Sequence, residues 1–503
     1  MRLAELVDAS VAVTATPARN EKVAVLAALL ARAEPDDVAP VVSWLSGELT
    51  QRQIGVGWAL LRERPAPAPA ASLTVAELER ELEAIGALRG PGSVTARRTA
   101  VRALLARADA AEQEFLARLL LGDLGQGALA GVMTDAVARA AGLPAGELRR
   151  ALTLHGDLAA VAAIALRDGR EGLATIRLRI GRPLAPMLAG TAPDVAAAIA
   201  KTGPAAVDWK LDGARLQVHR DGDDVALFTR TLDDVTARLP EVVAAARSLP
   251  VRSIVLDGEA IALRADGRPE PFQVTAARFG THGARVQPLA SLFFDVLHVD
   301  GDDLLDEPLA RRAEALDAAV APELRVPRRI AEDGAAAAGT FDAALAAGHE
   351  GVVVKALDAP YAAGRRGSGW LKVKPVHTLD LVVLAAEWGH GRRRGRLSNL
   401  HLGARDEESG GWAMLGKTFK GLTDELLEWQ TRQLLARETH REGIAVHVRP
   451  ELVVEVAFDG VQTSSRYSSG MALRFARVKR YRDDKTAAEA DTVATVRRFR
   501  DGQ

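Results

Sequence analysis

The chain has 503 residues, 48% hydrophobic and 26% charged, with 65 Lys+Arg against 66 Asp+Glu and no cysteine. That length predicts roughly three domains with well-filled cores, and the lack of cysteine excludes disulfides, cysteine nucleophiles, iron–sulfur clusters and cysteine-ligated zinc. The near-zero net charge argues against a uniformly basic nucleic-acid coat, although opposite local patches can cancel in the sum.

The first residues, MRLAELVDASVAV, lack a basic segment followed by an apolar run. No stretch approaches the roughly 18 apolar residues of a membrane span, so a soluble cytoplasmic protein with no membrane partner is expected. The ten histidines show no HExxH or close H-x-H spacing, which disfavours a zinc hydrolase. Residues 1 to about 190 carry apolar side chains at helical spacing, as in Leu104, Leu105, Phe115, Leu116, Leu119 and Leu120, and predict an all-α region. It is broken by a proline-rich link, ERPAPAPAAS (63–72), followed by a capping-box signal in Thr74 and Glu77.

From Ala206 the period changes to two. VDWKLDGARLQVHRDGDDVALFTR reads as strands joined by turns, with Asp221-Gly222 as a hairpin signal. Further strands are predicted at 253–263, 291–301, 350–357 and 370–375, which makes 191–375 an antiparallel α+β domain. After Pro375, short strands at 379–388, 399–405, 412–419 and 453–461 with glycine-rich turns predict a small β-barrel over 376–503.

Arginine does almost all the cationic work, because only ten lysines occur and eight of them lie between 210 and 485. A retained ammonium points to a specific need, since lysine can lose its proton and attack whereas arginine effectively cannot. Lys210 stands in WKLDGAR. Downstream come Thr229-Arg230, LDGE ending at Glu259, Phe294-Asp295, EGVVVK from Glu350 to Lys355, WLKVK with Lys372 and Lys374, and RFARVKRYRDDK over 474–485.

In these blocks, spread in order over about 275 residues from Lys210 to Lys485, the sequence resembles the covalent nucleotidyltransferases, specifically the ATP-dependent DNA ligases, at motifs I, Ia, III, IIIa, IV, V and VI. The resemblance implies three parts: an all-α DNA-binding domain (1–190), an α+β antiparallel nucleotidyltransferase domain of ATP-grasp-like ligase type (191–375), and a C-terminal OB-fold β-barrel (376–503). It implies that Lys210 attacks ATP at the α-phosphorus to form a lysyl-AMP. AMP then passes to the 5'-phosphate of a nick in double-stranded DNA, and the 3'-hydroxyl displaces it, as in DNA replication, repair and recombination.

By the same carry-over Asp208 faces the adenine, Arg215 and Glu259 engage the ribose, and Phe294 stacks on the base. Lys372 and Lys374 touch the α-phosphate, and Arg366 is the arginine four residues before the tryptophan of its block. Arg477, Arg480, Asp484 and Lys485 approach the pyrophosphate during the first step only, which implies a barrel that swings. GRPLAPMLAG (181–190) is similar to the entry segment of ligases with a helical DNA-binding domain, and 119–140 to that domain's glycine-containing turn, whose helix N-terminus would offer N–H groups to phosphate.

The residue chemistry agrees with these roles. Like charges at 372 and 374 would disfavour the ammonium form of Lys210. Glu259 and Glu350 are candidate ligands for Mg²⁺, with Mn²⁺ equally suited to oxygen donors. Arg215, Arg230 and Arg366 present planar forks to phosphate or ribose. Taken singly, each has an ordinary reading as a strand-end charge, a surface cation or a core ring. The basic loop GHGRRRGRLS (389–398), with Lys417 and Lys420, is expected to grip DNA phosphates.

Gly367 departs from the family, which often has serine after the motif V arginine. Rivals are a GTP-using capping enzyme and an RNA ligase, neither expected to carry the helical domain; an NAD-dependent ligase, which usually needs four cysteines; and a binding scaffold without activity. The expected enzyme is a monomer encircling DNA, cytoplasmic and nucleoid-associated while acting.

Overall fold

The structure, a computed structural model, describes residues 1–51, 53–62, 64–126, 130–279 and 287–501. The chain packs into two compact units, Met1–Pro186 with Gly301–Asp303, and Met187–Asp300 with Leu304–Gln503.

The first unit is helical, as its periodicity predicts. Its helices include Leu3–Ala15, Arg19–Leu30, Val75–Ala87, Ser93–Arg107, Ala110–Leu120, Ala130–Ala140 and Leu158–Ala174. Leu3, Leu6, Leu26, Leu78, Leu116 and Met133 are buried, so one face of each of these helices supplies the core. The Thr74–Glu77 capping box forms, each side chain meeting the other residue's backbone N–H. The proline-rich link carries no helix over its described residues; Glu63 lies outside them. Gly122 and Gly125 have φ of 71° and 63°, the left-handed region open to glycine. Residues 127–129, between that turn and the helix Ala130–Ala140, lie outside the described residues, and so does that part of the expected phosphate site.

The second unit begins with two sheets. One runs Leu188–Thr191, Arg366–Val373, Val352–Ala356, Ala205–Trp209, Arg328–Ala331, antiparallel except for its first pair. The other contains, as neighbours, Asp224–Thr229, Ala214–Asp221, Ser253–Ile261 and Ala290–Val299, all antiparallel. Buried Val207, Val352, Val354 and Leu371 fill the core beside the first sheet, and Leu216, Leu256, Phe293 and Val296 that beside the second.

The C-terminal part is strand-rich, but the expected closed OB-fold barrel is not found. Its sheet runs Trp412–Thr418, Leu397–Arg405, His377–Trp388, Ala445–Val448, Glu438–Glu442, with Val453–Phe458 joining His377–Trp388 and Arg477–Tyr481 joining Val453–Phe458. The long strand His377–Trp388 pairs with Val453–Phe458 along its first half and Ala445–Val448 along its second, so the sheet branches there. No pair closes it among the described residues.

Candidate active site

A cavity of about 560 Å³ opens in the second unit. Lys210 follows the strand Ala205–Trp209 and is pinned by its backbone, its N–H donating to the Gly351 carbonyl at 2.8 Å and its carbonyl accepting from the Glu350 N–H at 3.1 Å. Those contacts bring the WKLDGAR and EGVVVK blocks together. Gly351 has φ of 132°, and an added Cβ would lie 2.3 Å from the Val373 carbonyl, so only glycine fits the approach. Strand alternation then places Lys372 and Lys374 on the cavity side of Arg366–Val373 and its continuation, while Leu371 and Val373 enter the core.

The structure gathers most of the expected residues on this cavity: Asp208, Lys210, Arg215, Arg230, Glu259, Phe294, Glu350, Arg366, Lys372, Lys374 and Arg477 all line it. Lys210 Nζ donates to Glu350 Oε2, and Lys374 Nζ reaches Glu350 Oε1 at 2.7 Å and Asp459 Oδ2 at 3.2 Å. The electrostatics correct one expectation. Burial opposes the Lys210 charge, yet the Glu350 carboxylate, with Glu259 and Asp212, outweighs it and holds the lysine above its ordinary range. Glu350 is held below the usual carboxylate range by Lys210 and Lys374 against its own burial. The like-charge effect falls instead on Lys372, lowered by burial and by Lys374, Lys210 and Arg366. Burial pushes Glu259 up to about 7 despite Lys210 and Arg215.

Arg215 lines the cavity, but its fork already grips Asp257, at 2.9 and 2.5 Å, and it donates to the Met187 carbonyl at 2.6 Å. Its guanidinium lies 5.4 Å from the centre of the Phe294 ring. Arg230 and Arg366 are exposed at the rim. Phe294 meets Trp370 edge-on at 5.9 Å between ring centres, forming an aromatic wall.

Three motif VI residues stand elsewhere. Arg480 pairs with Glu455 at 2.7 Å, Lys485 with Asp380 at 2.6 Å and Asp484 with Arg482 at 2.6 Å; none of the three lines the cavity. The register shifts between Val478 and Arg480, so Arg477 and Arg480 stand opposite Ala457 and Glu455 on one face, and the position farther along the strand sets Arg480 against Glu455 while Arg477 reaches Asp459.

Sequence reasoning missed Lys355, Arg328, Arg474 and Asp459. Lys355, 2% exposed, pairs with Asp208 at 2.6 Å, its Nζ 4.5 and 4.3 Å from the Phe294 and Trp370 ring centres. Its place at the end of the EGVVVK block was a usable signal. Asp459 follows the strand Val453–Phe458 and meets both Lys374 and Arg477, the latter at 3.5 Å. Among the described residues no cluster of three or more His, Asp or Glu side chains is arranged to hold a metal ion. No helix among them is long and apolar enough to cross a membrane.

Comparison with known proteins agrees with this chemistry. Residues 59–138 match the family described as DNA ligase N terminus, 186–374 the ATP dependent DNA ligase domain, and 393–485 the ATP dependent DNA ligase C terminal region. A "Probable DNA ligase" of Mycolicibacterium gilvum (strain PYR-GCK) is 60% identical over 504 residues, 99% of each chain. Another, of Anaeromyxobacter sp. (strain Fw109-5), is 58% identical over 99% of this chain and 98% of its own. The solved structure named "Pmar-Lig_Pre." shares the fold, with a TM-score of 0.56 at 17% identity over 95% of this chain and 99% of that one. The chain belongs to the ATP-dependent DNA ligases, whose activity is the sealing of nicks in DNA.

Proposed function

We propose that this ligase works through Lys210, whose Nζ attacks the α-phosphorus of ATP and expels pyrophosphate. AMP then moves from the lysine to the 5'-phosphate of a nicked duplex, and the 3'-hydroxyl displaces it to close the strand. The observation that carries the reading is the convergence of Lys210, Glu350, Glu259, Lys372 and Lys374 on one cavity with the aromatic wall of Phe294. Glu350 is within reach of the proton Lys210 must lose. Lys372, Lys374, Arg230 and Arg366 supply charge for the phosphates, as phosphoryl transfer demands. Phe294 offers a face to the base, and Asp208 closes that end of the cavity.

Glu259 and Glu350 suit Mg²⁺, which takes one or two carboxylates together with substrate phosphate oxygens, so a pair is enough. A bound Mg²⁺ would offset charge developing on the triphosphate.

Three domains, 1–190, 191–375 and 376–503, account for the division of labour. The C-terminal sheet acts as an OB-type DNA-binding module. It reorients to bring Arg480 and Lys485 to the triphosphate in the first step, while Arg477 already lines the cavity. The enzyme acts on the duplex as a monomer, in the cytoplasm and on the nucleoid.

The test is to mix protein, Mg²⁺ and α-labelled ATP or GTP, denature, and look for label on the chain. Label from ATP that is discharged by nicked DNA into joined product is expected, with none from Lys210→Arg. Sealing retained in that variant would overturn the assignment.

A further inference from the structure

Behind the base end of the cavity stands a second, half-buried cation, Arg328. Arg328 Nε donates to Asp208 Oδ1 at 2.7 Å, and its Nη2 donates to Asp208 Oδ2 at 3.2 Å and to the Phe294 carbonyl at 2.6 Å. Lys355 reaches the same two groups, Asp208 Oδ2 at 2.6 Å and the Phe294 carbonyl at 3.3 Å. Asp208 belongs to the strand Ala205–Trp209 of one sheet and Phe294 to Ala290–Val299 of the other. Arg328, on the edge strand Arg328–Ala331, therefore ties the acidic end of the base site to its aromatic wall. It does so from outside, because it lines a neighbouring cavity of about 590 Å³ that shares with the first only Val326 among its lining residues.

Charge neutrality does not require it. Lys355 alone balances Asp208, and the nearby buried Asp295 has its own arginine, Arg312, at 2.8 Å with both side chains fully buried. What Arg328 adds is a planar fork that fixes the carboxylate plane, which a point charge cannot do. A carboxylate has about four acceptor sites. Arg328 and Lys355 occupy one on Oδ1 and two on Oδ2, leaving the open site on Oδ1. An acceptor-only site at the base end of a cavity with an aromatic wall suits the exocyclic amine of a 6-aminopurine. It repels the carbonyl of a 6-oxopurine and gains nothing from a purine with neither group.

We propose that Arg328 is a positioning residue for nucleobase selection, holding the open Oδ1 site of Asp208 and the Phe294 ring in fixed relation so that the 6-aminopurine is favoured. This rests on the assignment of the cavity to ATP and deepens it.

The test compares lysyl-nucleotide formation from ATP and from purine riboside triphosphate, which lacks the 6-amino group, in the wild type, Arg328→Met and Arg328→Lys. In Arg328→Met the KM for ATP should rise about tenfold with kcat little changed, as expected for one charge-assisted hydrogen bond. The KM for purine riboside triphosphate should stay put, so the preference for ATP falls by the same factor. Arg328→Lys, which keeps charge but not fork, should lose the preference too and serves alone where Arg328→Met does not fold. An equal weakening of both triphosphates, or an Arg328→Lys enzyme with wild-type preference, would overturn the proposal. A wild-type chain that takes label from neither triphosphate would instead overturn the Lys210 assignment on which it rests.

Discussion

Asp212, in the turn two residues after Lys210, is gripped by both arms of Arg474, at 2.5 and 3.1 Å. Arg474 ends the short strand Met471–Arg474 near the C-terminus, 262 residues away, so one bidentate ion pair fastens the C-terminal sheet region to the turn that presents the nucleophile. Both side chains are about a quarter exposed, 23% and 26%, which leaves the pair partly screened. Arg474→Ala should slow single-turnover sealing about tenfold, and a double-mutant cycle with Asp212→Ala should show a coupling of about 1–2 kcal/mol in the activation free energy. Strictly additive losses would mean that the pair does not hold the sealing-competent arrangement.

How much of this was legible in the sequence follows from which distances are local. Lys372 and Lys374 were readable because a two-residue spacing on a strand puts both on one face, and Thr74 with Glu77 because a capping box closes within four residues. That Glu350 shares a site with Lys210 was visible only through the resemblance, their contact was not foreseen, and the sign of the lysine's shift was misread: proximity to two lysines suggested a depressed ammonium, but the Glu350 carboxylate meets it directly. Arg328 carried no signal, and Arg474, although it opens the last block, gave none for its partner, since neither chain position nor period says that residues 120 and 262 apart will meet. Alternation likewise predicts strands but not whether a sheet closes, which depends on register at a branched strand such as His377–Trp388.

His219 gives the fold a pH dependence with a definite sign. It is 1% exposed, and burial, with His298 nearby, pulls it down to about 4. Between about 4 and its unfolded value near 6.5 the unfolded chain binds more protons, so stability rises with pH there. The contribution is complete above about 6.5 and is lost as pH falls through about 4, an effect of roughly 1–3 kcal/mol. Urea midpoints at pH 7.5, 6.0 and 4.5 should fall less steeply for His219→Gln than for the wild type; parallel curves would show that this histidine does not drive the slope.

The basic loop at 389–398 is divided by its own contacts. Arg393 donates to the Phe419 carbonyl at 2.6 Å, and Arg396 pairs with Asp424 and Glu428 at 2.9 and 2.6 Å, whereas Arg392 and Arg394 are exposed. If the loop grips DNA, the exposed two do so. Arg392→Ala with Arg394→Ala should weaken binding to nicked duplex and reduce the slope of log affinity against log salt by about two. Fluorescence anisotropy over a salt series measures this, and an unchanged slope would remove the loop from the interface.

Lys485 is the sharpest test of a moving C-terminal region, because the structure engages it elsewhere. Asp380 holds Lys485 at 2.6 Å together with Arg482 at 2.9 Å, away from the cavity. Its loss should cost little in this arrangement, since Arg482 still satisfies Asp380. If the region reorients to bring Lys485 to the triphosphate, Lys485→Ala should slow lysyl-AMP formation about tenfold, as expected for one lost charge-assisted contact to phosphate. Sealing of a nick that already carries AMP should proceed at the wild-type rate, because no pyrophosphate is present in that step. Rapid-quench measurement of both steps separates the outcomes. Equal losses would place Lys485 in the framework of the C-terminal sheet, and an unimpaired first step would leave Arg477, already on the cavity, as the motif VI cation that meets the triphosphate.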